Sequence, residues 1–174
     1  TGDNLPAEVD YTSDTDFWYN LPANFDVLQC CWRQYLWTGD ADYLNDPIFL
    51  NFYDRTVNEY VRQWDTNGDG LLEHMPQYGR RGIGSYEEGV SDIRNGGDLV
   101  AAQFAAYEAY AQIQSLRGNA DIAAQYQSKA DTLRARYERE WWNAADQNYF
   151  SIMQGDGQFS SRLDFGINAF ALYF

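Results

Sequence analysis

A regular alternation of short and long links between helical stretches limits this chain to a small set of folds. Apolar residues recur with helical spacing in residues 22–37, 47–64, 98–117 and 121–142, and a fifth helix is predicted to begin near Asp164 or Phe165. The links 38–46 and 118–120 are short, whereas the lead-in 1–21 and the links 65–97 and 143–163 are long and polar. Short links join antiparallel neighbours, so stacked helical hairpins are predicted, with every long link at one end. Function is expected at that end.

Local signals agree with these elements. Asp46, Asp98 and Asp121 stand where N-caps are expected, because an aspartate side chain accepts the free N–H groups of a first helical turn. A Gly-Asp-Gly turn between apolar residues predicts a small β-hairpin near residues 148–160. The predicted fold class is therefore all-α, with one domain over residues 1–174.

The charge of the chain excludes several classes of partner. The formal net charge is -14, from 26 acidic and 12 basic residues, and Lys129 is the only lysine. Such a surface repels nucleic-acid phosphates and anionic membranes, and it favours a neutral or cationic small-molecule partner. Aromatic residues make up 17% of the chain, and exposed tryptophan and tyrosine rings suit the apolar faces of sugars.

A resemblance to a known superfamily is visible between Gly97 and Ser151. An alanine-rich helix, a Gly-Asn turn, a second helix and the run WWNAADQNYF resemble a hairpin of the six-hairpin glycosidases, and WDTNGDGLLEH resembles a loop after one of their outer helices. The resemblance covers residues 18–174. It implies an (α/α)6 toroid, of which about five of twelve helices are present, and a glycoside hydrolase acting on a neutral oligo- or polysaccharide. The remainder of a larger toroid is the expected partner.

The long link 65–97 contains the candidate catalytic residues. Glycoside hydrolysis requires a carboxylic acid that protonates the leaving oxygen and a second carboxylate. The resemblance implies an acid in the Gly-rich loop before an inner helix, where Glu88 is the first choice and Glu87 and Asp92 follow. These three side chains alternatively form solvated ion pairs with the arginines of the same link.

Candidate substrate-binding residues lie in two segments. Acidic, aromatic and amide side chains before the first helix suit sugar hydroxyls and ring faces, and Trp18 alternatively plugs the core. In the long link, a histidine, arginines and a tyrosine suit hydroxyls or a carboxylate. The candidates are Asp16, Trp18, Tyr19, Asn20, His74, Arg80, Arg81, Tyr86 and Arg94.

A calcium site is a weaker prediction. Asp65, Asn67 and Asp69 match the first half of a calcium-binding loop, but Pro76 occupies the position that requires a bidentate glutamate. A tight turn with glycines at positive φ is the favoured interpretation. No other metal site and no cofactor motif is predicted.

Two other functions remain open on the sequence. One is a non-catalytic sugar-binding or scaffold domain of helical hairpins. The other is a toroid polysaccharide lyase that uses His74, Tyr78, Tyr86, Arg80 and Arg81, although the acidity of the chain suits a polyanionic substrate poorly. The acidic, lysine-poor composition favours a secreted or periplasmic protein.

Overall fold

The computed structural model describes residues 21–73 and 93–173, with side chains described through Ala169. These residues are mainly helical, which confirms the predicted all-α class with a small β-hairpin. The helices are α1 (Ala23–Thr38), α2 (Asp42–Asn45), α3 (Pro47–Arg55), α4 (Val61–Trp64), α5 (Gly97–Leu116), α6 (Ala120–Glu140) and α7 (Phe165–Tyr173). No helix within these ranges is both long and apolar enough to cross a membrane.

The second predicted helix, residues 47–64, contains a π-helical turn at Thr56–Tyr60 that joins α3 to α4. Asp46 caps this helix as predicted, because its carboxylate accepts the backbone N–H of Ile48 at 2.7 Å. A π turn inserts one residue into the helical repeat without ending the helix. Buried side chains therefore continue along the same helix as far as Trp64, which is fully enclosed.

Helix α5 is central, because it contacts α1, α6 and α7. Its alanines leave room for close helix packing, and all of them are buried: Ala101, Ala102, Ala105, Ala106, Ala109 and Ala111. Helix α6 instead buries one stripe, formed by Tyr126, Ala130, Leu133 and Tyr137 at spacings of four and three residues. Thus α5 is buried on most of its surface, whereas α6 packs through one face.

The start of α5 lies beside the end of α6 and the start of α7. A Cβ atom placed on Gly97 would lie 3.1 Å from the Tyr137 hydroxyl and 3.1 Å from Cγ2 of Ile167. Tyr137 belongs to the last turn of α6, and Ile167 belongs to the first turn of α7. Helices α5 and α6 therefore run antiparallel, whereas α5 and α7 begin at the same end of the fold.

Short strands fix this end. Strand β1 (Asn95–Gly96) pairs antiparallel with β4 (Ile152–Met153), and β2 (Trp142–Asn143) pairs antiparallel with β3 (Asn148–Tyr149). A single bridge between Met153 and Phe159 closes a turn within the region of the predicted β-hairpin. Since β1 directly precedes α5, the β1–β4 pair attaches the start of α5 to the segment that follows α6.

The segment after α4 reaches the same region. The side chain of Gln103, in α5, donates to the carbonyl of Gly70 at 2.7 Å, and Asn95 donates to the carbonyl of Leu72 at 2.5 Å. The predicted long-loop face, formed by residues 1–21, 65–97 and 143–163, includes residues outside the described ranges. As a complete face it stays a prediction.

Candidate functional site

Three helices begin side by side, and each has an aspartate at its start. Asp26 lies in the first turn of α1 and Asp98 in the first turn of α5, while Asp164 precedes α7. The Asp164 carboxylate caps α7 by accepting the backbone N–H groups of Gly166 at 2.9 Å and Ile167 at 3.2 Å. The other two carboxyl groups have a different environment.

Asp98 is almost fully enclosed, with 3% of the residue exposed. Burial raises the pKa of its carboxyl group to about 6, although backbone N–H bonds from Leu99 and from Asp98 itself act in the opposite direction; the charge of Asp164 adds to the rise. Its Oδ1 atom has no hydrogen-bond partner among the described residues. The carboxyl group therefore retains its proton at mildly acidic pH and has an oxygen available for a ligand.

Two glycines create the space that Asp98 occupies. A Cβ atom on Gly96 would lie 2.3 Å from Oδ1 of Asp98, a separation that no real side chain tolerates. On Gly97, a Cβ atom would approach the carbonyl oxygen of Phe150 to 3.4 Å. Gly96 therefore leaves room for the Asp98 carboxyl group, and Gly97 allows the start of α5 to lie close to Tyr137, Phe150 and Ile167.

Asp26 is the second carboxyl group with a raised pKa. Burial is the larger cause and the charge of Asp98 is the smaller one, and together they raise the pKa of Asp26 to about 6. Its Oδ1 atom, and Oδ1 of the neighbouring Asn24, are buried without a hydrogen-bond partner among the described residues. Three buried oxygens without a described hydrogen-bond partner therefore lie near these helix starts, one each from Asn24, Asp26 and Asp98.

Tyr137 contributes an unused hydroxyl group. Its Oη atom is buried without a partner in the described part of the chain, next to Gly97. Burial raises the pKa of this phenol, and the charges of Tyr149 and Asp98 raise it further. Tyr137 therefore stays neutral and can donate a hydrogen bond to a ligand.

This arrangement is suited to proton transfer. A general acid is most effective when its pKa lies near the working pH, and burial beside a like charge is how carboxyl groups reach such values. Asp98 and Asp26 both meet that condition. Buried polar atoms without partners are rare in folded proteins, and their concentration here indicates a place where a ligand completes the hydrogen bonding.

Arg94, predicted to bind substrate, lies in an ion-pair network. Its Nε and Nη2 atoms donate to Oε1 of Glu73 at 2.8 Å and 2.5 Å, and Nη2 lies 3.9 Å from Oδ2 of Asp69. Glu73 is buried and also accepts from the Thr66 hydroxyl and the Asn67 amide. The contacts of Arg94 are thus structural, and a role toward substrate stays a prediction.

The candidate calcium segment forms a compact turn. The Asp65 carboxylate accepts the backbone N–H groups of Gly68 at 2.8 Å, Asp69 at 3.0 Å and Gly70 at 3.0 Å. Both glycines have positive φ, as the sequence predicts for a tight turn. Asp69 itself binds Nη2 of Arg136 at 2.9 Å. Within residues 21–73 and 93–173, no group of three His, Cys, Asp or Glu side chains is arranged to hold a metal ion.

The other predicted site residues lie outside the described residues. They comprise the candidate catalytic carboxylates and most of the candidate substrate-binding residues, namely Glu87, Glu88, Asp92, Asp16, Trp18, Tyr19, Asn20, His74, Arg80, Arg81 and Tyr86. Their roles stay predictions.

Sequence reasoning missed the aspartates described above. Asp98 was predicted to be an N-cap, but α5 begins one residue earlier, at Gly97, and this places Asp98 inside the first turn. Asp26 and Tyr137 were not singled out. A usable signal was present, because an acid lies within three residues of the start of each helix that succeeds a long link, and two glycines precede Asp98.

Comparison with known proteins gives a distant structural likeness. A solved structure described as "Sialidase" matches this chain with a TM-score of 0.53 at 20% sequence identity. The match covers 76% of this chain and 12% of that chain, so the chain spans a small part of its neighbour. At this identity the likeness shows the fold alone. No family model and no curated protein matches the sequence.

Proposed function

We propose that the chain is part of a glycoside hydrolase of the (α/α)6 toroid type, acting on a neutral oligo- or polysaccharide at the starts of α1, α5 and α7. The observation that carries this proposal is the buried carboxyl group of Asp98, which has a raised pKa and an oxygen without a hydrogen-bond partner. The pKa of the neighbouring Asp26 is raised as well. The structural neighbour is described as a sialidase, and this description supports a carbohydrate-active enzyme.

In the proposed reaction, Asp98 is the general acid. The protonated carboxyl group donates its proton to the glycosidic oxygen as the bond between that oxygen and the anomeric carbon breaks. A second carboxylate activates water or stabilises the sugar cation, and Glu87, Glu88 and Asp92 are the candidates, since they directly precede β1 and α5 in the sequence. Tyr137, as a neutral donor, would bind a sugar hydroxyl.

Several features place this proposal above the alternatives. A lyase requires a base, and Tyr137, the tyrosine at the described site, has a raised pKa that makes its phenolate scarce. A scaffold has no need for buried acceptors without partners. The toroid has twelve helices, so in this proposal the remaining hairpins belong to a longer, exported protein.

Neutral oligosaccharides, whose leaving oxygen requires protonation, provide the test. We expect Asp98→Asn to reduce kcat by about 100-fold or more, the usual range for loss of a general acid. Asp121→Asn is the matched control, because Asp121 lies in the first turn of α6, is exposed, and stands at the opposite end of the hairpin. Full activity of Asp98→Asn would refute the proposed acid. Glycan binding without turnover, unchanged in that variant, would support the sugar-binding alternative.

A further inference from the structure

A cavity lies between the segment after α4 and helix α6. Its volume is about 360 Å³, and neither Asp26, Asp98, Asp164 nor Tyr137 is among its lining residues. Its lining includes Ser128, Lys129 and Arg136 of α6, Asp65 and Asp69 of the turn after α4, and Tyr107 of α5. A cavity of this size lies at the small end of the range for ligand sites.

The charges around this cavity are balanced with one exception. Asp65 is satisfied by backbone N–H groups, and Asp69 is paired with Arg136, which also binds Glu140 at 2.9 Å. Lys129 forms no ion pair with any residue in the described ranges. Its ammonium lies over aromatic rings instead, 4.2 Å from the centroid of Tyr126 and 5.8 Å from that of Tyr107.

The ammonium of Lys129 retains unused hydrogen-bonding capacity. It has three N–H donors, and the faces of two rings do not replace three acceptors. Partial burial lowers the pKa of Lys129. A bound anion would supply the missing counter-charge.

Further donors and acceptors lie in the same cavity. The hydroxyl oxygen of Tyr107 accepts from the Gln103 side chain at 3.0 Å, which leaves the Tyr107 proton free to donate. Burial, with the charge of Asp65, raises the pKa of Tyr107 to about 12, so that proton is retained at neutral pH. The hydroxyl of Thr132 donates to the carbonyl of Ser128 at 2.8 Å and keeps a lone pair for a ligand hydroxyl.

From this geometry we infer that the cavity is a binding site for a small hydroxylated carboxylate of monosaccharide size. The ligand carboxylate binds the Lys129 ammonium, and the ligand hydroxyls bind the Tyr107 hydroxyl and the polar walls. The inference is independent of the proposed hydrolase.

Calorimetric titration tests the inference. The 174-residue chain is titrated with glucuronate and, separately, with glucose, which has the same ring but no carboxylate. We expect glucuronate to bind at least about tenfold more tightly than glucose, and Lys129→Met to remove most of that difference. Arg134→Met is the matched control, because Arg134 lies on the same helix, is mostly exposed, and loses the same charge. Equal binding of the two sugars, absence of glucuronate binding, or an unchanged affinity in Lys129→Met overturns the inference.

A second measurement requires no variant. Lys129 is the only lysine, so acylation of its side chain by an amine-reactive ester can be followed by peptide mass spectrometry. Glucuronate should slow this acylation by several-fold at saturation, and glucose should leave it unchanged. Equal rates with and without saturating glucuronate overturn the inference even when Lys129→Met fails to fold.

Discussion

At the scale of single residues, the decisive competition at Asp98 is between burial and the helix dipole. The positive end of a helix favours a charged carboxylate by about 0.3–1 kcal/mol when exposed and up to about 2 kcal/mol when partly buried. A pKa that rises from 3.8 to about 6 corresponds to roughly 3 kcal/mol in the opposite direction. Burial outweighs the dipole. The start of α5 therefore favours a protonated carboxyl group, where a helix start normally favours a carboxylate.

The glycine before α5 provides a prediction at this scale. In Gly96→Ala, the new methyl group would lie 2.3 Å from Oδ1 of Asp98, so the carboxyl group must move. We expect a loss of about 1–3 kcal/mol in the free energy of unfolding, measured with urea, and a large loss of any glycosidase activity. The same substitution in an Asp98→Ala background should cost much less, because the clashing group is absent. Equal costs in the two backgrounds would contradict the described contact.

Helical periodicity did not reveal these residues, for a physical reason. Capping rules locate an aspartate near the start of a helix, but they do not indicate which neighbouring helix starts beside it. The burial of Asp98 depends on α1, α6 and α7, and hence on residues distant in the sequence such as Asp26, Tyr137 and Asp164. A single sequence contains no direct record of that packing.

At the scale of elements, the ends of the helices follow from local chemistry. The capping bond of Asp46 fixes the start of the second hairpin helix, which the sequence predicted at residue 47. The short helix Asp42–Asn45 was not predicted, because its four residues are too few for a periodic pattern and its anchor is the buried Leu44. The π turn was likewise invisible, since packing of the core determines where a helix accepts an extra residue.

The ion pair between Glu73 and Arg94 joins two elements and supports a second prediction. It connects the segment after α4 to the start of β1, and the Glu73 side chain is only 5% exposed. We expect Glu73→Gln to lower the free energy of unfolding by about 2–4 kcal/mol, because Arg94 then lacks its charged partner in a partly buried site. Urea denaturation provides the measurement.

An exposed pair on α6 is the matched control. The side chains of Arg134 and Glu138 are 63% and 55% exposed, and their N–O distance is 3.0 Å. Because solvent screens such a pair, Glu138→Gln should change the free energy of unfolding by less than about 0.5 kcal/mol. Similar costs for Glu73→Gln and Glu138→Gln would show that the buried pair does not hold the two elements together.

At the scale of the whole molecule, the raised pKa values of Asp26 and Asp98 link stability to pH. Both groups have folded-state pKa values of about 6, above the ordinary value of 3.8. Protonated carboxyl groups are favoured in the folded protein, so their stabilising contribution is complete below about pH 4 and is lost as the pH rises through about 6.

The variant Asp98→Asn isolates this effect. Relative to the parent chain, we expect it to gain about 1–3 kcal/mol of stability at pH 7.5 and almost nothing at pH 4, as measured by urea unfolding at the two pH values. A gain for Asp98→Asn that does not depend on pH would contradict the raised pKa.

The lengths of the links between helices predicted the all-α hairpin architecture, but they did not predict the candidate site. Short links at 38–46 and 118–120 predicted antiparallel hairpins, and α5 and α6 pack as one. The small β-hairpin also follows from its turn residues. The meeting of Asp26, Asp98 and Asp164 depends on the packing of three helices, and no local pattern specifies it.

The alanine-rich surface of α5 has a consequence for how this protein can change over evolutionary time. Its six alanines are buried where α5 contacts three neighbouring helices, so little volume remains there for a larger group. Substitution at these six positions is therefore confined to the smallest amino acids, while the exposed face of α6 tolerates more change. Remote homologues should therefore retain this compact stripe long after their surface loops have diverged.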